Sequence, residues 1–281
     1  MLQDIRVLTP EYAPQDLHHR EGALNHLTGS LRPITAGNSG TPSMIVGPPG
    51  VGKTTIARFV AKRLKSENPE IKWCRVDCLN HSTPGVLLNH VCAELELLSE
   101  VPVAGTPRGT YYDRLRESGS QLVVILDEVT HCDDRSILTT LHDIDTVTPI
   151  YITTDEPSLL ADLDGRAADR LRQAATVRLD PYSDGALVDI LKARTDLALA
   201  PGSLESGVLE ACADTAAGSA RQAIELCRQA ITHARDSGRG HVSVADVAAV
   251  EHTAHRNIFA RRVADLGSHQ RILSTSQSIA S

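Results

Sequence analysis

Eight consecutive residues, Gly47-Pro48-Pro49-Gly50-Val51-Gly52-Lys53-Thr54, match Gly-x-x-x-x-Gly-Lys-Ser/Thr at every defined position. Each residue type has a physical task there. Gly50 and Gly52 let backbone N–H groups curl onto phosphate oxygens, where a Cβ would obstruct the approach. Lys53 brings a compact positive charge to the β and γ phosphates of a nucleotide. The Thr54 hydroxyl suits a coordination position on Mg²⁺. Thr55, next along the chain, is counted with these phosphate-binding residues. A helix opening near Lys53 points its positive dipole end at the anion.

A second constellation completes the first. Leu122-Val123-Val124-Ile125-Leu126 runs directly into Asp127-Glu128. An apolar run with no polar residue to face water marks a strand buried on both sides. Adjacent carboxylates at the end of such a strand are costly unless a cation or a polar site receives them. Asp127 is the residue expected to hold Mg²⁺, usually through water, and Glu128 the one expected to polarise an attacking water. The two motifs in one domain predict binding of ATP or GTP.

The elements that must position these residues follow from periodicity. Ser43–Val46 reads as a short strand, and residues 53–64 turn helical with Ile56, Phe59, Val60 and Leu64 on one face. Further strands are predicted at 71–78, 122–126, 149–152 and 176–179. Helices are predicted at 17–31, 86–98, 111–116, 136–142 and 159–172, with a loop at 101–107. This alternation argues for a parallel sheet with helices on both faces. After Pro181-Tyr182-Ser183 only Ala/Leu-rich helical segments appear, at 184–196, 205–215, 219–235 and 243–257. The expected fold is α/β: a P-loop domain with a three-layer parallel sheet, then a small all-helical lid. The division is 1–40 as an N-terminal segment, 41–181 as the α/β domain, 182–262 as the lid and 263–281 as a tail.

Composition bounds the partners. The chain of 281 residues carries a net charge of −7, so it lacks a globally basic footprint and any DNA contact must come from a local patch. Six scattered cysteines form no Cys-x-x-Cys pair, which favours small buried hydrophobes over zinc or disulfide use. No signal sequence opens the chain and no apolar run approaches ~18 residues, so a cytoplasmic protein without a membrane partner is expected.

The order of P-loop, Asp-Glu strand, further strand and helical lid resembles the AAA+ ATPases. Within them the chain is most similar to the archaeal replication initiators related to eukaryotic origin-recognition and cell-division-cycle loader subunits. Three stretches carry the resemblance: Leu8 to Glu21, Val101 to Leu115, and Gly218-Ser219-Ala220-Arg221-Gln222-Ala223. The resemblance implies that residues 1–40 pack beside the nucleotide base and that Thr154 occupies the sensor 1 position. It implies that Arg221, at sensor 2, reaches the γ-phosphate. Arg166 matches the arginine finger that projects toward a neighbouring subunit, with Arg170 a second candidate. The implied cofactors are ATP/ADP and Mg²⁺, and the implied activity is ATP hydrolysis, slow in a monomer. Thr130 stands where the family carries another Asp, and Thr154 where it often carries Asn; both bear on hydrolysis more than on binding.

Two readings of function stay open. One is a DNA replication initiator acting with other AAA+ initiator subunits as a homo- or hetero-oligomer. It would bind duplex DNA weakly, because Ala264 to Leu273 resembles only the start of the family's C-terminal winged helix; Arg256, Arg261, Arg262 and Arg271 could contribute. The other is a DNA-independent, ATP-dependent regulator or partner-loading short paralogue. Both require the phosphate site. Lys53→Ala is expected to abolish most ATP affinity, because the phosphates lose their buried cationic partner; nucleotide titration by fluorescence checks it, and wild-type affinity would remove the P-loop assignment.

Overall fold

The computed structural model describes residues 2–9, 12, 17–98 and 106–251. Part of the predicted 101–107 loop, part of the Leu8 to Glu21 stretch, the tail 263–281 and the four arginines from Arg256 to Arg271 lie outside the described residues. The chain divides into two compact units. One contains Arg20–Gly47 and Lys53–Leu179; the other contains Pro48–Gly52 with the described residues of Met1–His19 and of the chain from Asp180 on. The first of these boundaries, at His19/Arg20, falls inside the segment read as 1–40.

The first unit is a five-stranded sheet of β1 (Ser43–Val46), β2 (Lys72–Asp77), β3 (Leu122–Asp127), β4 (Val147–Thr153) and β5 (Ala175–Arg178), in the order β2-β3-β4-β1-β5. Every pairing is parallel. The central strands β1, β3 and β4 are buried at every residue, whereas the edge strands β2 and β5 are only partly so. Strands covered on both faces are mostly apolar, and in the central strands the one charge is Asp127 at the end of β3. Helix α1 (Glu21–Leu31) precedes β1, and between the strands run α2 (Lys53–Glu67), α3 (Pro84–Glu94), α4 (Arg108–Arg116), α5 (Ser136–His142), α6 (Glu156–Ala161) and α7 (Gly165–Arg172). α2 buries Ile56, Val60 and Leu64 together with Ala57 and Ala61. Each of the larger side chains contributes roughly 1.5–3 kcal/mol by leaving water.

Several elements depart from the periodicity, among them the helix expected over 86–98, which ends at Glu94 before a left-handed Glu96 at φ 56°. The helix expected over 17–31 begins at Glu21, because His19 holds a left-handed φ of 59° that a helix does not accept. The helix expected over 159–172 is two. Asp155 caps α6 by accepting from Ser158 N–H at 2.9 Å, and Asp164 caps α7 by accepting from Ala167 N–H at 2.8 Å. Apolar spacing runs through the break, but the Asp164 side chain satisfies the first turn of a new helix. β4 extends back to Val147, so Pro149 sits inside a central strand opposite Val124. A proline donates no ladder hydrogen bond, which is why the sequence alone places it at a strand start.

The second unit is helical: α8 (Asp184–Ala198), α9 (Val208–Ala216), α10 (Ala220–Asp236) and a helix at 244–251. Its core is built from small residues such as Ala213, Ala216, Cys212, Cys227, Ala230 and Ala234 with Leu187, Leu191 and Leu226. The short 3-10 turn Ile5–Leu8 packs with α8, where Arg194 donates to the Val7 carbonyl at 2.6 Å and lies 5.1 Å from the Tyr12 ring centroid. Asp246, fully buried, ties the last helix to α10. It accepts from Ser243 N–H at 2.9 Å, from Ser243 Oγ at 2.8 Å and from Arg239 Nη1 at 3.1 Å, with His233 Nδ1 at 2.8 Å.

Burial alone raises the Asp246 pKa, but the hydrogen bonds from Ser243, His233 and Arg239 outweigh it and hold the carboxyl at about 2 against an ordinary 3.8. A carboxyl with a depressed folded pKa stabilises above its unfolded value and loses that stabilisation as pH falls through the folded one. Asp246→Asn is therefore expected to lower the denaturant midpoint at neutral pH, by a gap that narrows as pH falls from about 4 toward about 2. A constant gap across urea titrations in that window would show that the charge of Asp246 is not what stabilises the lid.

Candidate functional site

The strand order sends the chain from β1 outward to the β2 edge and back through β3 and β4, so β1 ends where the sheet's connections diverge in opposite directions. Open parallel sheets bind ligands beyond the carboxyl ends of their strands at such a switch point. The register aligns the ends: Val46 pairs with Thr153 and Asp77 with Asp127. Gly47 leaves β1 at this edge, and Lys53 opens α2. A Cβ on Gly47 would stand 2.4 Å from the Leu179 carbonyl oxygen, so no larger residue fits beside that carbonyl.

Within this unit the structure brings Lys53, Thr54 and Asp127 to one edge of the sheet. Lys53 is buried and its Nζ donates to the Gly47 carbonyl at 2.7 Å. Thr54 Oγ1 donates to Asp127 Oδ2 at 2.8 Å, joining the two motifs directly. Thr55 lies in the first turn of α2, half-buried. The Asp127 side chain is only 4% exposed and accepts a second group, Arg75 of β2, from Nε at 2.9 Å and Nη2 at 2.7 Å. Glu128 takes a left-handed φ of 54°, a conformation that costs a non-glycine residue energy and that turns the chain sharply off the strand. Thr154 follows the last residue of β4 and is exposed.

The P-loop tip, Pro48–Gly52, belongs to the helical unit and meets the start of α10 there. Ser219 caps α10 by accepting from Gln222 N–H, and Arg221 N–H donates to the Gly50 carbonyl at 3.3 Å. Gly50 has φ +83°, and a Cβ there would lie 2.2 Å from Ser219 Oγ. Conformation and space both demand glycine at that point. The Arg221 side chain is exposed on the first turn of α10.

The two arginine candidates on α7 differ. Arg170 is paired with Asp143, whereas Arg166 is exposed and makes no ion pair or side-chain hydrogen bond among the described residues. A side chain the sequence reading did not single out, Arg135, ties the segment after Glu128 to α6. It donates to the carbonyls of Thr130 at 3.1 Å and Leu159 at 3.3 Å and pairs with Asp162 at 2.5 Å. Arg75 was also missed. In β2 it alternates with buried Cys74 and Val76, on the strand's less buried side. Only the charge itself, placed mid-strand, signalled a partner.

All six cysteines are buried thiols. The Cys78 thiol beside this site is pushed well up by its hydrogen bond to Cys132, by burial and by the nearby Asp127 and Asp77 carboxylates, so it stays protonated and non-nucleophilic. No described helix is long and apolar enough to cross a membrane.

Known proteins resemble this chain in sequence and fold. Residues 38–159 match the AAA domain family model and residues 188–252 match the Cdc6 AAA+ ATPase-type lid domain. The Aeropyrum pernix ORC1 protein, solved in complex with DNA, superposes with a TM-score of 0.81 at 26% identity over 98% of this chain and 75% of that one. The ADP form of Aeropyrum pernix ORC2 superposes with a TM-score of 0.79 at 24% identity, over 89% of this chain and 72% of that one, which speaks to the fold. The fold is thus an AAA+ P-loop domain with a Cdc6-type lid, and nucleotide binding and ATPase activity belong to that class. In sequence the chain is 32% identical to the ORC1-type DNA replication protein 1 of Halobacterium salinarum, over 97% of its own length and 89% of the relative's. With the AAA and Cdc6-type lid matches following one another along it and that relative covered over most of its length, the chain belongs to the ORC1/Cdc6-type family of AAA+ DNA replication initiators.

Proposed function

We propose that this chain is a Mg²⁺-dependent ATP switch that works in an initiator assembly and turns over slowly by itself. The observation that carries the reading is the 2.8 Å hydrogen bond from Thr54 to Asp127, which joins a P-loop hydroxyl to a nearly buried carboxylate. Hard oxygen donors of these two kinds suit Mg²⁺, which keeps several waters and takes substrate phosphate as further ligand. Thr54 and Asp127 would hold the ion, whose contribution when bound is to neutralise phosphate charge and orient the phosphates.

The remaining roles fall to the chain's own side chains. Lys53 exchanges the Gly47 carbonyl for the β and γ phosphates, a charge-assisted and stronger partner. Glu128 accepts a proton from the attacking water. Thr154, at the end of β4, is the residue that answers to the γ-phosphate from the sheet unit, and loss of that phosphate frees it; Arg221 is the sensor 2 candidate of the helical unit. Arg166, exposed and unpaired among the described residues, suits donation to a neighbouring subunit's nucleotide. A finger supplied in trans accelerates phosphoryl transfer by about 10³–10⁵, which makes the solitary chain slow. The relative solved with DNA supports DNA as a partner; other AAA+ initiator subunits are partners that the exposed Arg166 would suit.

Glu128→Gln is expected to keep ATP bound while stopping hydrolysis, since an amide cannot take up the proton. Equal phosphate release by variant and wild type in single-turnover assays would dismiss Glu128 as the base. For DNA, the net charge of −7 opposes approach to a polyanion, so contact should come from local basic side chains on phosphates. Filter binding across a salt series is expected to show log affinity falling steeply with log salt. A preference of ~10³ or more for one duplex sequence over random duplex would show base reading instead, and no binding at any salt would favour a DNA-independent regulator.

A further inference from the structure

Arg75 stands where the proposed metal would need room. Its Nε and Nη2 lie 2.9 Å and 2.7 Å from Asp127 Oδ2, the same oxygen that accepts the Thr54 hydroxyl at 2.8 Å. Three donors already converge on one carboxylate oxygen. Mg²⁺ binds oxygen at about 2.0–2.1 Å in near-octahedral geometry, directly or through its water shell. A guanidinium on that oxygen excludes the ion's waters and repels its charge.

The arginine also has somewhere to go. Its side chain is 36% exposed, and Asp77, two residues along the same face of β2, lies 3.8 Å from Nη2. The Asp77 carboxylate is kept in place by Leu79 N–H at 3.1 Å and Asn80 Nδ2 at 3.0 Å. Asp127, by contrast, is 4% exposed at the end of a wholly buried strand and has little access to water. A buried carboxylate stripped of its cation is strongly disfavoured. Arg75 thus sits on Asp127 with the Asp77 carboxylate 3.8 Å away, within reach as an alternative partner.

We propose that Arg75 is a resident counter-cation of Asp127, a latch that competes with Mg²⁺ and raises the Mg²⁺ concentration this chain needs to bind nucleotide. The inference rests on the reading of Thr54 and Asp127 as the Mg²⁺ site. If Arg75 were only a strut between β2 and β3, its loss would lower stability equally with and without Mg²⁺ and leave the Mg²⁺ requirement unchanged.

The test uses the full chain and the fluorescent N-methylanthraniloyl derivative of ADP, titrated with Mg²⁺. Arg75→Met is expected to shift the Mg²⁺ midpoint about tenfold or more downward, the factor that ~1.4 kcal/mol of lost competition confers. Asp77→Asn, which removes the alternative seat, is expected to shift it upward. Mg²⁺ alone should raise the melting temperature of Arg75→Met more than that of wild type, since the bare Asp127 gains a cation. If Arg75→Met does not fold, Arg75→Lys, which keeps charge but loses the two-nitrogen grip, should lower the midpoint by a smaller factor. An unchanged or raised midpoint in the Arg75 variants, with wild type responding to Mg²⁺, overturns the latch alone. A wild type whose nucleotide binding ignores Mg²⁺, matched by Asp127→Asn, overturns the metal reading beneath it.

Discussion

The Asp127 carboxylate sits at the carboxyl end of a strand in which every residue is buried, and the arrangement of the sheet unit around it follows from that position. A charge in so poorly hydrated a place must be met by hydrogen bonds and an opposite charge, or it shifts toward neutrality. Thr54 meets it from the first turn of α2 and Arg75 meets it from β2. Those two contacts fix where α2 begins relative to β3 and bind an edge strand to the sheet's interior. The same carboxylate sets the local chemistry, because any cation arriving there finds an oxygen already shared.

The helical unit solves a different problem with different material. Its core is rich in alanine and cysteine, which let helices approach closely but bury little area per residue. Specificity comes instead from a few buried polar knots. Asp246 gathers Ser243, His233 and Arg239, and buried Glu225 pairs with Arg228. Ser219, which starts α10, doubles as the surface against which Gly50 packs. A helix cap and a phosphate-loop glycine are thus constrained by one contact.

Strain marks the place where strand becomes site. Glu128 holds a left-handed backbone directly after Asp127, and Arg135 fastens the following segment through the Thr130 carbonyl. A non-glycine residue keeps such a conformation only when its surroundings over-determine it. Arg135, at the start of α5, supplies that determination and also reaches α6, whose own start is capped by Asp155 just beyond Thr154. The turn after β3 and the turn after β4 are in this way mechanically joined through one nearly buried guanidinium.

The P-loop, the Asp-ended strand, the alternation of strands with helices and the helical character beyond Pro181 were all legible in the residues. Each is a local signal: glycine at positions that exclude a Cβ, unbroken apolar runs, and a 3.6-residue period. What the sequence could not decide was anything set by distant partners. The split between α6 and α7 depends on where Asp164 spends its carboxylate, and the length of β4 on neighbours that tolerate Pro149. The pairing of Arg75 with Asp127 spans 52 residues and exists because parallel register brings β2 beside β3. Spacing along the chain carries no trace of that proximity. Local sequence therefore determined which chemistry is present, and tertiary structure alone decided which charges answer to one another, because Coulomb attraction depends on separation in space and on burial.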